Sequence, residues 1–240
     1  VEDLKISDKK ILITVINNNG VLPSYFTKSL LELYIYTRKY LPGTDLRFIE
    51  ANSVAHMRNL SVRTALEDGY DYLVQLDSDQ KYPANFIVKF YQEDKEVITG
   101  CTNQRVYPFY PTQYFKLQKQ LKELSNLCFY TGEDELIEVE ASGPVGMLVK
   151  TSVFKKMKWP YYSMDWSDPK RTISEDIRFC MNLKELDIPI YLDMSINFPH
   201  EIKGFTYGRT LDLQGIKMNL AFKNKPKGLK DEEVDKDNEI

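Results

Sequence analysis

Two aspartates one residue apart, Asp77-Ser78-Asp79, follow directly on the apolar run Tyr72-Leu73-Val74-Gln75-Leu76. Aspartate is depleted inside strands, so the pair reads as the crown at the end of a buried strand. In open α/β sheets the carboxyl ends of strands are where ligands bind. Carboxylates there suit a divalent cation that carries a phosphorylated ligand. The same tripeptide is an ordinary turn and cap sequence, and Pro83 is placed for the first turn of a following helix.

Three other groups of residues could join that chemistry. In the segment from Val54 to Asp68, a helical projection at about 100° per residue puts Ala55, Val62, Ala65 and Leu66 on one face. Arg58 and Asn59 lie on the same side, one turn in from the start. A crossover helix begins at the carboxyl end of a sheet, so both point toward the aspartates. The arginine there pairs with a phosphate or with one of those carboxylates. Ser174-Glu175-Asp176 opens a second helix, with Ser174 as its cap and acids in the first turn to suit the helix dipole. An ionised carboxylate held at a helix start is also a usable general base. His200 ends the run Ile196-Asn197-Phe198-Pro199, and imidazole is a common ligand of transition ions. His56 reads as structural or as a contact at the nucleotide edge.

The elements that must position these residues follow from periodicity. Ile11-Leu12-Ile13-Thr14-Val15-Ile16 is a strand covered on both faces, ending at Asn17-Asn18-Asn19-Gly20. A helix runs from Pro23 to about Lys39, with Phe26, Leu30, Leu33 and Ile35 among its apolar positions, and Pro42-Gly43 stops it. Leu46–Ile49 is a strand ending at Glu50. The helix from Val54 and the Tyr72–Leu76 strand come next. Strand, helix, strand, helix, strand at this spacing predicts a parallel sheet with right-handed crossovers. Farther on, Glu96–Thr99, Ile137–Glu140 and Met147–Val149 read as strands, and Thr151 caps a short helix to about Met157. Residues 159–173 read as a loop, Glu175–Asp187 as a helix, and Pro189–Leu192 and Ser195–Phe198 as two short strands. The fold class is α/β, with a Rossmann-like, mostly parallel central sheet and a mixed α+β second half.

Composition narrows the function classes. The 240 residues carry a net charge of −3 with scattered basic residues, which gives no electrostatic footprint for nucleic acid. Three widely spaced cysteines, Cys101, Cys128 and Cys180, fit buried thiols in a reducing, cytoplasmic setting better than disulfides or zinc. No segment has the apolar length of a membrane span. Peripheral membrane attachment, or a targeting segment ahead of Val1, stays open. Residues 223–240 are rich in Lys, Asp and Glu and read as a charged, disordered tail. The expected organisation is one domain over residues 1–222, with a nucleotide-binding half at about 10–100 and an acceptor half at 101–222.

Three stretches, in order, carry a family resemblance: Ser53-Val54-Ala55-His56-Met57-Arg58-Asn59 running into Leu76-Asp77-Ser78-Asp79, then Ser142-Gly143-Pro144-Val145-Gly146-Met147-Leu148-Val149, then Ser174-Glu175-Asp176 with the late His200. Together they resemble the GT-A glycosyltransferases, above all the inverting, family-two-like group of bacterial, phage and viral enzymes. The match spans roughly residues 10 to 208. The resemblance implies a metal-dependent transfer of a sugar from a UDP- or GDP-linked donor to a hydroxyl of a glycan, lipid or protein, with inversion. It implies Mn²⁺ or Mg²⁺ at Asp79 and His200, with Asp77 on the ribose or reaching the ion through water. It implies Asp176 as the base, with Glu175 holding the acceptor. Asn17, Asn18, Glu50, Arg58, Asn59, Ser78, Gly143 and Gly146 would line the donor. Asn17-Asn18-Asn19 replaces the proline-containing turn of many relatives, and Glu50 stands where aspartate is common. Both departures bear on base recognition.

The chemistry is coherent, because a diphosphate leaves readily only when its growing charge is neutralised. Tyr107, Phe109, Tyr110, Trp159, Tyr161, Tyr162 and Trp166 offer flat faces for sugars, or core. Asp165 and Asp168 are the next candidates for a base. The competing readings are a nucleotidyltransferase that makes such donors and a non-catalytic carbohydrate- or nucleotide-binding module of a larger protein. The first resembles proteins with a glycine-rich, basic loop after strand one, where this chain has asparagines and only Gly20.

Overall fold

A computed structural model describes residues 7–17, 20–105, 110–114, 135–168, 171–202 and 205–207. Asn18, Tyr107, Phe109, Cys128 and the 223–240 tail lie outside the described residues.

The fold is built around β1, Ile11–Ile16, every residue of which is buried. Each such aliphatic side chain contributes about 1.5–3 kcal/mol when fully removed from water. A strand hidden on both faces must lie inside a sheet, and β1 pairs in parallel with β2 (Thr44–Ile49) on one side and β3 (Tyr72–Asp77) on the other. Helices α1 (Ser24–Tyr40) and α2 (Val54–Glu67) make the two crossovers. The chain therefore steps outward to β2 and back across β1 to β3. That reversal opens a crevice at the carboxyl ends of β1 and β3, the place where open α/β sheets hold ligands. Ile16 is level with Ile49 on one side and Asp77 on the other.

The remaining strands complete a mixed sheet of seven. They are β4 (Val97–Cys101), β5 (Leu136–Val139), β6 (Leu148–Lys150) and β9 (Ile190–Asn197), in the order β2-β1-β3-β6-β4-β9-β5. Five strands run parallel; β6 and β5 run against their neighbours. The short α3 (Phe86–Gln92) and α1 cover one face, with Phe26, Leu33, Phe86 and Phe90 in that core. Helices α2, α4 (Thr151–Lys156) and α5 (Glu175–Glu185) cover the other, with Val62, Phe154, Phe179 and Leu183. Two hairpins lie outside the sheet, β7–β8 (Asp165–Asp168, Arg171–Ile173) and β10–β11 (His200–Ile202, Phe205–Tyr207). No helix among the described residues is long and apolar enough to cross a membrane.

Several local expectations need correction. Residues 159–173 contain the β7–β8 hairpin rather than only loop. The two short strands expected at 189–198 are one eight-residue strand, β9. Thr151 is the first residue of α4, not its cap, and its hydroxyl donates to the Tyr70 carbonyl at 2.7 Å. Ile35 is 70% exposed, because two positions on from buried Leu33 is the opposite side of a helix. Cys101 and Cys180 are buried and in no disulfide, as expected. The Cys180 thiol donates to the Ser142 carbonyl at 3.3 Å, and burial raises its pKa to about 12.

Phe198 shows how tightly this architecture is set. Its ring meets Phe86 at 5.0 Å, Tyr82 at 5.3 Å and Phe90 at 6.4 Å between centroids. Gly146 lies against it with φ +64°, and a Cβ there would fall 2.6 Å from the ring. Gly146→Ala is expected to destabilise the chain by about 2–4 kcal/mol through combined backbone strain and overpacking, read as a lower urea midpoint.

Candidate functional site

The end of β3 is organised by one buried cation. Arg58, on the first turns of α2, has a side chain only 3% exposed. Its Nη2 donates to both oxygens of Asp77, at 2.9 and 3.3 Å. Its Nε faces Glu175 Oε1 at 3.7 Å. Burial opposes the guanidinium charge, but the fields of Asp77, Tyr162, Glu175 and Asp176 outweigh it and raise its proton affinity. Removing one partner of such a buried pair costs about 3–5 kcal/mol, since the other charge is left stranded. Arg58 thus joins β3 to α5, so residues nearly a hundred positions apart share one cleft.

The α2 helix holds Arg58 in place. Ser53 caps it by accepting from the His56 N–H at 3.2 Å. Gln75 donates to the Arg58 carbonyl at 2.9 Å. Asn59, expected at the donor, has a different task. Its amide nitrogen donates to the Ala55 carbonyl at 2.8 Å and the Tyr162 carbonyl at 2.7 Å, and its oxygen accepts from the Tyr161 and Tyr162 N–H groups at 3.0 and 3.2 Å. Its hydrogen-bonding capacity is used in fixing the segment before β7.

The Asp77–Asp79 turn is held from beneath. The Tyr82 hydroxyl accepts from the Asp77 N–H and donates to the Asp77 carbonyl, both at 3.0 Å. Ser78 is half-buried in the turn. Asp79 Oδ2 pairs with Arg105 Nη1 at 2.6 Å. Asp79 Oδ1 is buried and has no hydrogen-bond partner among the described residues. Gln80, the next residue, is 1% exposed and donates to Thr102 Oγ1 at 3.1 Å and to His200 Nε2 at 2.7 Å. The Lys81 N–H donates to the Pro199 carbonyl at 2.9 Å. His200 therefore packs beside the aspartate turn. Burial lowers its pKa, against the pull of Asp79.

The expected three-residue metal centre is not assembled. Among the described residues no three His, Cys, Asp or Glu side chains are set to share an ion. The reason is local: Asp77 turns to Arg58, Asp79 to Arg105, and the His200 Nε2 lone pair to the Gln80 amide. One feature still suits a hard cation, the orphaned Asp79 Oδ1. Mg²⁺ commonly takes one or two carboxylates plus substrate phosphates rather than an all-protein cage, and this site fits that pattern.

The α5 terminus is built differently from a simple cap. Ser174 stands at the N-cap position but makes no cap hydrogen bond. Its hydroxyl donates to Asp176 Oδ1, which also accepts from the Ile177 N–H at 2.8 Å. Glu175 is pushed above the ordinary carboxyl range by burial and by Asp176, with Arg58 opposing. Asp165 is engaged elsewhere: it accepts from the Ser167 N–H at 2.9 Å and faces Arg178 at 4.0 Å.

The other candidates divide. Asn17 is buried at the end of β1, where its amide donates to the Val21 carbonyl at 3.2 Å; Glu50 is exposed at the end of β2. Gly143 and Gly146 are both buried. Contact with Phe198 and a positive φ account for Gly146, without a ligand. Among the aromatics, Tyr162 is core, stacked on Phe179 at 4.6 Å, whereas Trp159 and Trp166 are 60% and 69% exposed. Gln80, Tyr82 and Arg105 were not visible as site residues in the sequence. Their proximity to Asp77 and Asp79 is the only signal that marks them, and for Arg105 even that requires the fold.

No protein-family model matches the chain, and no curated protein matches it in sequence. Among solved structures, A197 from STIV is similar over 83% of this chain and 94% of its own, with TM-score 0.55 and 19% identity. The fold is GT-A-like. S. aureus TarS 1-349 is similar with TM-score 0.43 and 15% identity, over 89% of this chain and 65% of its own. A 4-diphosphocytidyl-2C-methyl-D-erythritol synthase is similar with TM-score 0.39 and 10% identity, over 88% and 99%.

The raised Glu175 has a consequence for pH. A carboxyl that ionises less readily when folded holds its proton more tightly in the folded chain. Its effect on stability is therefore most favourable below the ordinary value of 4.5 and declines as pH rises from there through the higher native value. Glu175→Gln is expected to flatten that decline, measured as the urea midpoint between about pH 4 and 7. An unchanged slope in the variant would assign the decline to other groups.

Proposed function

We propose that this chain transfers a sugar from a nucleotide-diphosphate donor to an acceptor hydroxyl, with a divalent cation and with inversion. One observation carries the reading. The buried Arg58 guanidinium draws the β3 carboxylate Asp77 and the α5 carboxylate Glu175 to one cleft at the carboxyl end of the sheet. A donor-side group and an acceptor-side group thereby face one another.

Each residue has a task in this reading. Asp79 holds the cation through its unpartnered Oδ1, and Asp77, fixed by Arg58 and Tyr82, orients the ribose. Bound Mg²⁺ or Mn²⁺ supplies neutralisation of the charge that grows on the leaving diphosphate. Asn17, Asn18, Glu50 and Ser78 line the base and ribose. Gly143 gives close backbone approach. His200 steadies the aspartate turn through Gln80 and reaches a cation only if Gln80 yields. Asp176, oriented by Ser174 and the Ile177 amide, takes the acceptor proton. Glu175 holds the acceptor, and positioning both partners in line removes much of the entropic cost of their meeting. The transferase domain is taken as residues 1–222, working in a reducing, cytoplasmic compartment.

Two substitutions test this. Asp79→Ala should abolish Mn²⁺-dependent binding of UDP- or GDP-sugars in calorimetry while the melting temperature holds. Undiminished affinity would remove Asp79 from the site. Asp176→Asn should keep donor binding and lower transfer by about 10²–10⁴-fold. The product separates the rival chemistry. Glycosyl transfer, or slow donor hydrolysis, releases nucleoside diphosphate, whereas a nucleotidyltransferase releases pyrophosphate and a binding module releases neither.

A further inference from the structure

We infer that a cavity between α5 and residues 156–163 binds the remote part of the acceptor, and that this part is a sugar ring carrying a negative charge. The cavity holds about 410 Å³, within the range of small-molecule sites. One wall is the stripe Arg178, Asn182 and Glu185. Spacings of four and three residues put these on one helix face. It lies away from the face that Ile177, Cys180 and Leu183 bury. The facing wall includes Lys158, Trp159 and Ser163.

Trp159 is a rigid platform rather than a loose surface ring. It is 60% exposed, yet its ring is set perpendicular to that of Tyr161 at 5.7 Å between centroids, and Tyr161 in turn meets buried Phe154 at 5.5 Å. Three hydrogen bonds of Asn59 pin the backbone at Tyr161 and Tyr162. An exposed, pre-positioned aromatic face suits the apolar face of a pyranose, at little ordering cost. The polar groups around it select charge. The walls carry Lys158 and Arg178 against Glu185; Lys156 is taken up by Glu96 at 2.7 Å, and Arg178 is held only by the looser 4.0 Å pair with Asp165. That pair is too long for a hydrogen bond, so an incoming phosphate or carboxylate can take the Arg178 fork in place of Asp165. Asn182 and Ser163 can meet ring hydroxyls. Arg178 lies one turn beyond Glu175 on the same helix, which puts the cavity on the acceptor side of the proposed centre.

Only the role as an acceptor subsite rests on the transfer reading; binding needs neither donor nor cation. Trp159 and Trp166 are the only tryptophans, so Trp166→Phe leaves Trp159 as the sole reporter. This variant is titrated at constant ionic strength, without nucleotide or metal, with glucose 6-phosphate, glucuronate, glucose and inorganic phosphate. At least one charged sugar should change the Trp159 emission saturably. It should bind about tenfold more tightly than glucose or inorganic phosphate. The phosphate and carboxylate arms decide which charge is preferred. Adding Arg178→Gln should remove about a tenfold share of that affinity. Calorimetry on the unsubstituted chain should give the same ranking if Trp166→Phe folds poorly. A flat titration of folded protein, an equal response to inorganic phosphate alone, or indifference to Arg178→Gln would each overturn the inference. A flat titration would leave the transferase reading standing, whereas saturable binding in a chain that never turns over a donor would leave the subsite and remove that reading.

Discussion

A guanidinium with almost no access to water must be surrounded by negative charge, and that constraint organises the functional end of this molecule. Asp77 and Glu175 offset the cost of burying the Arg58 charge, and Arg58 in turn offsets the repulsion between those carboxylates. The three come from α2, β3 and α5, one on the crossover from β2 to β3 and one far along the chain. Their mutual need sets the distance between the ends of β3 and α5 across the cleft. The same cluster explains why Asp77 is poorly placed to hold an ion directly, and why Asp79, one pleat farther out, keeps an unshared oxygen.

Around that cluster the structure spends buried polar groups on alignment. Asn59 fastens the segment leading to β7. Tyr82 and Gln80 brace the aspartate turn from two sides, and the ring of Phe198 anchors the strand end that delivers His200. None of these side chains need touch a substrate to matter. They determine whether the groups that do are held within a fraction of an ångström, which is what separates a catalytic cleft from a patch of charge.

Much of the framework was legible in the sequence because it rests on period and punctuation. The near-continuous β-branched run at 11–16 read as a strand covered on both faces. The helical spacing of Ala55, Val62, Ala65 and Leu66 marked α2, and the apolar Tyr72–Leu76 run marked β3. Legibility faded where tertiary contacts overrode local pattern. β9 reads as two strands because Asp193 breaks the run after Leu192, yet Asp193 is buried against Lys89 at 3.2 Å and the strand continues. For the site, residue types were readable and pairings were not. Asp-Ser-Asp marked the right turn, and Arg58 the right helix. Whether that arginine met phosphate or carboxylate depended on a distance that no spacing encodes. The metal triad failed for the same reason, since Gln80 and Arg105, which occupy its members, carry no mark of their own.

The insertion of β6 between β3 and β4 has a bearing on how the chain matures. The outer edge of β3 is completed by residues 148–150, which arrive more than seventy positions later. Until they do, a ribosome-bound or proteolysed piece ending near residue 100 carries a long apolar strand with bare amide and carbonyl groups, the kind of edge that recruits other chains. Closing that gap is a long-range pairing and so a slow one. Residues 1–100 are therefore a poor candidate for independent expression, because the strand order itself leaves that edge bare until the later residues arrive.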